Sequence, residues 1–309
     1  MPNRASKTYR RNLGLVATPY AVWGSVGVFV RQIDLSSAAI SAWRLLFAVA
    51  TIAALMAVRA DIRRFHPGGQ RRLLILLGMV LGLAWPLFLL ALIRTDIGVA
   101  VVVAFSWPLW YTLLAYFFRG ERQPPVVVAA LVLCLVGLAL VAVRSGDLPR
   151  GDDAIGIAAA LGASIFAALQ ILLIRDVELD IPALTVNLWQ STVAAILLSP
   201  FAVHGAVTQG LTWTDLAILV LIGGVFTGLG GALQVAGARR LNPAATAVAS
   251  YLEPLVATAL GIIVLDERPR VVGAIGIVLV VGSGMFVLLR GQGQPASQPP
   301  STGTYVPVT

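Results

Sequence analysis

The chain has 309 residues, of which 58% are hydrophobic and 12% are charged. Soluble globular domains carry about 25% charged residues, so this composition excludes an ordinary soluble protein. The formal net charge is +8, but the basic residues are scattered between apolar blocks, which argues against nucleic-acid binding. Because Cys134 is the single cysteine, an intrachain disulfide and a cysteine-based metal site are both excluded.

Ten apolar runs, each about 17–25 residues long and nearly free of charge, follow one another along the chain. A helix of about 20 residues spans the hydrocarbon core of a bilayer. Because lipid offers backbone amides no hydrogen-bond partner, each run is expected to be helical, and none has the alternation of barrel strands. The sequence therefore predicts an all-α polytopic membrane protein with ten transmembrane helices. The predicted spans are residues 13–30, 38–58, 73–93, 97–118, 125–143, 154–174, 182–203, 216–238, 243–265 and 270–289.

The basic residues also predict the orientation. With the N-terminus inside, the inner segments hold 15 Arg and Lys residues and the outer segments hold 6. Because cytoplasmic loops are enriched in Arg and Lys, both termini are expected in the cytoplasm, with a basic N-terminal segment over residues 1–11. Residues 291–309 are rich in Gly, Gln, Pro and Ser, which predicts a disordered tail. The dominance of Arg over Lys is typical of a GC-rich bacterial genome and points to a bacterial inner (plasma) membrane.

An internal repeat emerges when the chain is compared with itself at a shift of 146 residues. The shift aligns Trp43 with Trp189, Gly78 with Gly224, Gly82 with Gly228, Arg94 with Arg240, Pro108 with Pro254, and Glu121 with Glu267. Each half has five spans, an odd number, so the second half enters the membrane from the opposite side. Residues 12–146 and 147–290 are therefore predicted to form two inverted-topology five-helix repeats. Such repeats are typical of secondary transporters, although some channels contain them too.

Glycines and prolines mark positions where the spans depart from simple apolar helices. The third and eighth spans contain Gly-x-x-x-Gly pairs that begin at Gly78 and Gly224, and such pairs let helix backbones approach closely. These faces either pack statically or are the places where a helix slides or bends. Pro108 and Pro254 lie near mid-span and predict kinks in the fourth and ninth spans.

Two ionisable residues lie deep within predicted spans, Arg44 and Glu253. A charge in hydrocarbon costs at least about 2.5–3.5 kcal/mol on insertion scales, so both are expected to face protein or a wet cavity. We predict that Glu253 is a site for a proton or a substrate ammonium group. Arg44 is then its counter-charge or an anchor for a carboxylate. A fixed structural ion pair, or a glutamate that caps a proline kink, is the alternative.

Aromatic and neutral polar side chains within the spans are the remaining candidates for substrate binding. Trp107 and Tyr251 are central, and Trp107 is the counterpart of Glu253 at the 146-residue shift. A Trp face beside a carboxylate suits an amphipathic or cationic solute through cation–π attraction. Packing and interhelical hydrogen bonding are the alternatives for these residues. The predicted substrate-binding residues are Trp23, Arg44, Trp85, Ser106, Trp107, Trp110, Gln170, Trp189, Gln190, Gln234 and Tyr251.

Four motifs make the chain resemble the drug/metabolite transporter superfamily, in its EamA-type branch. They are residues 41–47 (SAWRLLF), 114–122 (LAYFFRGER), 251–255 (YLEPL) and 265–268 (LDER). The resemblance implies a ten-helix fold with a central cavity lined mainly by helices 1, 3, 4, 6, 8 and 9. It also implies the carriage of small metabolites, often outward, driven by proton or substrate exchange.

These features together predict a secondary-active transporter that moves a small amphipathic metabolite, such as an amino acid, by alternating access, with export as the expected direction. An importer or exchanger of a sugar, nucleobase or drug is the alternative on the same fold, and a passive channel is a further one. The sequence has no phosphate loop, nucleophile elbow or zinc motif, so an enzyme, a metal site and a cofactor are not expected. The expected partners are a small-molecule substrate and membrane lipid, without nucleic acid. Substrate identity, coupling ion and oligomeric state, monomer or homodimer, stay open.

Overall fold

A computed structural model describes residues 4–58, 67–120, 151–241, 252–266 and 271–291, with isolated positions between 125 and 140 and between 246 and 250. The regular elements in these ranges are all helices. They are α1 (Arg4–Trp23), α2 (Val26–Val30), α3 (Ser37–Val58), α4 (Arg71–Arg94), α5 (Ile97–Ala104), α6 (Trp107–Arg119), α7 (Asp152–Ile174), α8 (Ala183–Thr208), α9 (Trp213–Val220), α10 (Gly231–Ala238), α11 (Leu252–Leu265) and α12 (Val271–Gly291). A π-helix over Leu221–Gly230 joins α9 to α10, and a 3-10 turn over Gly68–Gln70 precedes α4.

Seven helical stretches in the described part of the chain are long and apolar enough to cross a membrane. They are Thr8–Val30, Ser37–Val58, Gly68–Arg94, Ile97–Arg119, Asp152–Ile174, Ala183–Thr208 and Trp213–Ala238. These stretches match predicted spans 1 to 4 and 6 to 8, which confirms an all-helical, multi-pass membrane protein. α11 and α12 fall within predicted spans 9 and 10, whereas span 5 and the tail beyond Gly291 lie largely outside the described residues.

Three of the seven membrane-spanning stretches in the described part of the chain are interrupted rather than continuous. The fourth is divided into α5 and α6 at Phe105 and Ser106, with Pro108 in the first turn of α6, which confirms the kink predicted from that proline. The first is divided into α1 and α2 by a turn at Gly24 and Ser25, a break that the sequence did not predict. The eighth contains the π-helix, which is a rare geometry that is frequent at functional sites.

The break in the first span is explained by the helix that packs against it. A Cβ atom at Gly24 would lie 2.7 Å from Val256 Cβ and 2.8 Å from the carbonyl oxygen of Glu253. Only glycine leaves room for α11 to approach the backbone this closely. The turn therefore brings the backbone of Glu253 directly against the first span.

Glycines also bring two pairs of longer helices together. A Cβ atom at Gly78 of α4 would lie 2.5 Å from Val193 Cβ and 2.8 Å from the carbonyl oxygen of Gln190 in α8. A Cβ atom at Gly223 of the π-helix would overlap the carbonyl oxygen of Arg44 and lie 2.9 Å from Phe47 Cβ in α3. The close approach of helix backbones that these glycine-rich faces predict is therefore present in the structure.

Polar contacts tie both ends of α7 to the first half of the chain. At its N-terminal end, Asp152 forms an ion pair with Arg94, the last residue of α4. Just beyond its C-terminal end, Asp176 forms an ion pair with Arg119, the last residue of α6, at 2.8 Å. Because α7 has 23 residues and rises about 1.5 Å per residue, the two ion pairs lie at opposite ends of the bundle.

Candidate functional site

A partly enclosed cavity of about 150 Å³ lies between the helices. Its lining comes from α1, α4, α5, α6, α7, α8, α10, α11 and the π-helix. The six spans that the resemblance implies all contribute, and the seventh span, α8, contributes in addition. Most of the lining is apolar or aromatic, with a few polar groups among it, which is the composition typical of small-molecule sites.

The structure brings together seven of the residues predicted to form the site. Those that line the cavity are Trp23, Trp85, Trp107, Gln170, Gln190, Gln234 and Glu253. Arg44, Ser106, Trp110 and Trp189 are outside the lining, and Tyr251 lies outside the described residues. The aromatic and amide groups of the prediction therefore converge on one space with Glu253.

Arg44 contacts the cavity lining from behind. Its side chain is fully buried, its Nε donates a hydrogen bond to Thr227 Oγ1, and its Cζ lies 3.6 Å from the ring centroid of Trp85. Thr227 and Trp85 both line the cavity. The Nη1 and Nη2 atoms of Arg44 have no hydrogen-bond partner among the described residues. The two buried terminal nitrogens of the guanidinium are therefore left unpaired while its face is stacked on Trp85.

Glu253 is buried and lies within electrostatic range of Arg44 and Tyr20. Within the described ranges, the ion pairs closer than 4.0 Å join other residues, and Arg44 and Glu253 do not contact each other. A direct ion pair between them, one of the alternatives from the sequence, is therefore not formed. A basic and an acidic side chain are therefore both buried near one small cavity without contact between them.

Amide side chains form a hydrogen-bonded chain along one wall. Gln170 Nε2 donates to Gln190 Oε1 at 3.3 Å, and Gln190 Nε2 donates to Asn187 Oδ1 at 2.9 Å. Asn187 Nδ2 in turn donates to the carbonyl oxygens of Thr227 at 3.2 Å and Gly228 at 2.9 Å. This wall therefore links α7, α8 and the π-helix.

Sequence reasoning missed three polar residues of the lining, Tyr20, Asn187 and Thr227. A signal existed for two of them. Asn187 precedes Gln190 by three positions, and Tyr20 precedes Trp23 by three positions, so each lies on the same helix face as a predicted residue. Thr227 gave no such signal, because a threonine hydroxyl in an apolar helix usually bonds its own backbone. Its hydroxyl does donate to the carbonyl of Ile222 at 2.7 Å.

The predicted residues outside the lining have other partners. Trp110 Nε1 donates to Ser106 Oγ at 3.2 Å, and Ser106 Oγ donates to Ser164 Oγ at 3.1 Å, so this group joins α6 to α7. Trp189 packs against the buried cluster that includes Leu74. Packing and interhelical hydrogen bonding, the alternatives from the sequence, describe these contacts.

Comparison with known proteins identifies the family. The sequence matches the EamA-like transporter family over residues 12–143 and 154–289. The chain belongs to this family. The resemblance noted in the motifs is thereby confirmed, and the EamA-like assignment points to a transporter rather than an enzyme.

Curated relatives of this EamA-like protein are also described as transporters. The uncharacterized transporter YxxF of Bacillus subtilis is 26% identical over 218 residues, which cover 70% of each chain. A probable terminal-alkyne amino-acid exporter of Streptantibioticus cattleyicolor is 28% identical over 67% of this chain and 70% of its own length. Human solute carrier family 35 member G1 is 25% identical over 94% of this chain and 82% of its own length. One solved crystal structure is similar with a TM-score of 0.68 at 19% identity, covering 93% of this chain and 99% of its own, and supports the fold alone.

Proposed function

We propose that this protein is a secondary-active transporter that exports a small amphipathic metabolite, an amino acid or a similar solute, across a bacterial inner membrane by alternating access. The observation that carries the proposal is the cavity itself, in which a buried carboxyl group, three tryptophans and a row of amides face one space. One transporter relative is named as a probable amino-acid exporter, which supports the same class of solute and the same direction.

The dimensions and chemistry of the cavity favour a small solute. Its volume of about 150 Å³ is below the roughly 300–1,000 Å³ of sites for drug-sized ligands. Trp23, Trp85 and Trp107 offer aromatic faces to an apolar or cationic part of the solute. Glu253 is suited to a proton or a substrate ammonium group. Arg44 places a positive charge behind Trp85, which favours a solute carboxylate on the cavity side of that ring.

Two inverted five-helix repeats, ten helices in all, are the architecture that we propose for alternating access. The family model matches twice, over residues 12–143 and 154–289, in agreement with the 146-residue repeat. The glycine contacts support a similar arrangement in both halves. Gly78 lies against Gln190, and Gly223, one position before the counterpart of Gly78, lies against Arg44. Gln190 is the counterpart of Arg44 at the 146-residue shift. Similar bundles inserted in opposite directions exchange conformations around a site near the midplane.

The ion pairs at the two ends of α7 are the contacts that we expect to open in turn. Arg94 with Asp152 closes one end of the bundle, and Arg119 with Asp176 closes the other. Exposed ion pairs contribute only about 0–1 kcal/mol each, so each is weak enough to break during a transport cycle. Because Arg and Lys are in excess in the inner segments, we propose that the Arg119 end and both termini face the cytoplasm.

Counterflow into proteoliposomes tests the proposal. The purified protein is reconstituted in vesicles preloaded with one member of a panel (the common amino acids, glucose, adenine), and uptake of the same labelled solute is measured with and without an imposed pH gradient. We expect an amino acid with an apolar side chain to give the largest transient accumulation. Counterflow of glucose or adenine alone would show that the substrate is not an amino acid. Ion currents without counterflow would show that the protein is a channel and not a carrier.

Replacement of Glu253 tests the proton site. Glu253→Gln keeps the size of the side chain but removes its ionisable group, so we expect transport to lose its dependence on the pH gradient. Glu178→Gln makes the same change at a carboxylate that is exposed and outside the cavity, and it should keep that dependence. Full transport by Glu253→Gln with unchanged pH dependence would end the proton-site proposal.

A further inference from the structure

The π-helix at Leu221–Gly230 is held by side chains from other helices. Trp23 Nε1 donates to the carbonyl oxygen of Phe226 at 2.8 Å, and Asn187 Nδ2 donates to those of Thr227 and Gly228. These three consecutive carbonyls lie in the last turn of the π-helix, where it returns to the α-helical geometry of α10. Regular hydrogen bonding is disturbed at such junctions, so donors from outside stabilise the π form.

Asn187 differs from Trp23 because it is bonded on both sides. Its amide nitrogen holds the π-helix, while its amide oxygen accepts a hydrogen bond from Gln190, which in turn accepts one from Gln170. All three amides line the cavity. A solute that accepts hydrogen bonds from Gln170 or Gln190 therefore competes for donors that otherwise bond within the amide series. That series ends at the backbone carbonyls of the π-helix.

The other half of the chain has no equivalent of this arrangement at the matching position. The counterpart of Asn187 at the 146-residue shift is Ser41 in α3. Ser41 is fully buried, and its Oγ donates to the carbonyl of Ser37 within its own helix at 2.7 Å. The link between an amide wall and a neighbouring helix is therefore a property of α8 and not of the shared repeat.

From these contacts we infer that Asn187 is a positioning residue that couples the amide wall of the cavity to the π-helix. When the amides bind solute, the hydrogen bonds from Asn187 to the carbonyls of Thr227 and Gly228 change. The eighth span then converts between its π-helical form and a regular α-helix. This role rests on the proposed alternating-access function, because it requires the eighth span to move as the cavity changes the side to which it opens. The glycines of this segment, among them Gly223 and Gly224, allow such movement.

Hydrogen exchange of the full-length protein in lipid nanodiscs tests the coupling without any solute. Asn187→Leu removes both donations, and Asn187→Asp keeps the acceptor for Gln190 but removes the donor. In both variants we expect the amides of residues 221–230 to exchange at least about tenfold faster, with exchange in α7 unchanged. Asn187→Gln keeps the donor group and should restore most of the protection. Gln190→Leu, which leaves Asn187 in place, should raise exchange in the same segment by a smaller factor.

Ser41→Ala is the matched control, because it removes a buried polar group at the equivalent position, and it should leave residues 221–230 unchanged. Wild-type exchange in Asn187→Asp, or an equal rise in Ser41→Ala, would overturn the assignment. If Asn187→Leu does not fold, Asn187→Asp and Gln190→Leu decide the matter. Since the measurement needs no transported solute, its failure is distinguishable from a counterflow panel that finds no substrate.

Discussion

Two glycine-mediated contacts between helices invite comparison, because the same backbone approach supports different chemistry in each. In one, Gly78 of α4 lies against Gln190 of α8; in the other, Gly223 of the π-helix lies against Arg44 of α3. Gln190 and Arg44 occupy equivalent positions at the 146-residue shift. The second half of the chain therefore has a neutral amide, Gln190, at the position where the first half has the buried cation Arg44.

The partners of the two residues explain how each side accommodates its group. Thr227 Oγ1 accepts a hydrogen bond from Arg44 Nε, whereas the counterpart of Thr227 at the 146-residue shift is the apolar Leu81. Gln190 consequently finds its partners in Asn187 and in Gln170 of α7. Both contacts are thus closely packed, but only the contact between Gly223 of the π-helix and Arg44 involves a charged residue. This asymmetry suits the amino-acid-like solute that we propose.

The largest expected effect comes from filling the glycine contacts. Gly223→Ala places a methyl group against the backbone of Arg44, and Gly78→Ala places one against Val193 and the backbone of Gln190. Overpacking of this kind costs about 1–3 kcal/mol, so thermal melting in detergent should show a clear loss in both variants. Transport should fall further in Gly223→Ala, because that variant also displaces the cation.

Gly14 is the matched control for these substitutions, since a Cβ atom there meets nothing within 4 Å. Gly14→Ala should leave the melting temperature unchanged or raise it slightly. Melting temperatures for Gly223→Ala and Gly78→Ala equal to that of the wild type would show that the two faces are not closely packed.

A smaller effect is expected when the cation itself is removed. Arg44→Met replaces a buried guanidinium by an apolar chain of similar length, and it removes the cost of burying a charge that has no ion-pair partner. We expect an unchanged or higher melting temperature, together with counterflow reduced about tenfold, which corresponds to roughly 1.4 kcal/mol. Gln190→Met should reduce counterflow less. Equal transport by Arg44→Met and the wild type would show that the charge difference between Arg44 and Gln190 has no role in transport.

The smallest effect concerns the ring that covers Arg44. Trp85→Phe keeps an aromatic face over the guanidinium but weakens the cation–π attraction, by about 0.5–1 kcal/mol. A small shift of the melting temperature is expected, and it should disappear when Trp85→Phe is combined with Arg44→Met. If the shift of the melting temperature persists in the double variant, its cause is the packing of the ring in the cavity and not the cation–π attraction.

The sequence was informative wherever a single residue type carries a strong physical cost. Charges within apolar runs identified Arg44 and Glu253, and Pro108 identified the break in the fourth span. The π-helix was beyond sequence reasoning, because it depends on donors from distant helices such as Asn187. Membership of the lining depends on how far each helix is rotated, which is why Thr227 was missed and why Arg44 lies behind Trp85.

The most direct test of alternating access is two-sided labelling of the cavity. Ala167 lines the cavity and is small, and replacement of Cys134 by alanine leaves Ala167→Cys as the single thiol. A membrane-impermeant maleimide is applied to right-side-out and to inside-out vesicles. We expect the thiol to react from either face of the membrane. Labelling from one face only, however long the exposure, would contradict a cavity that opens to both sides in turn.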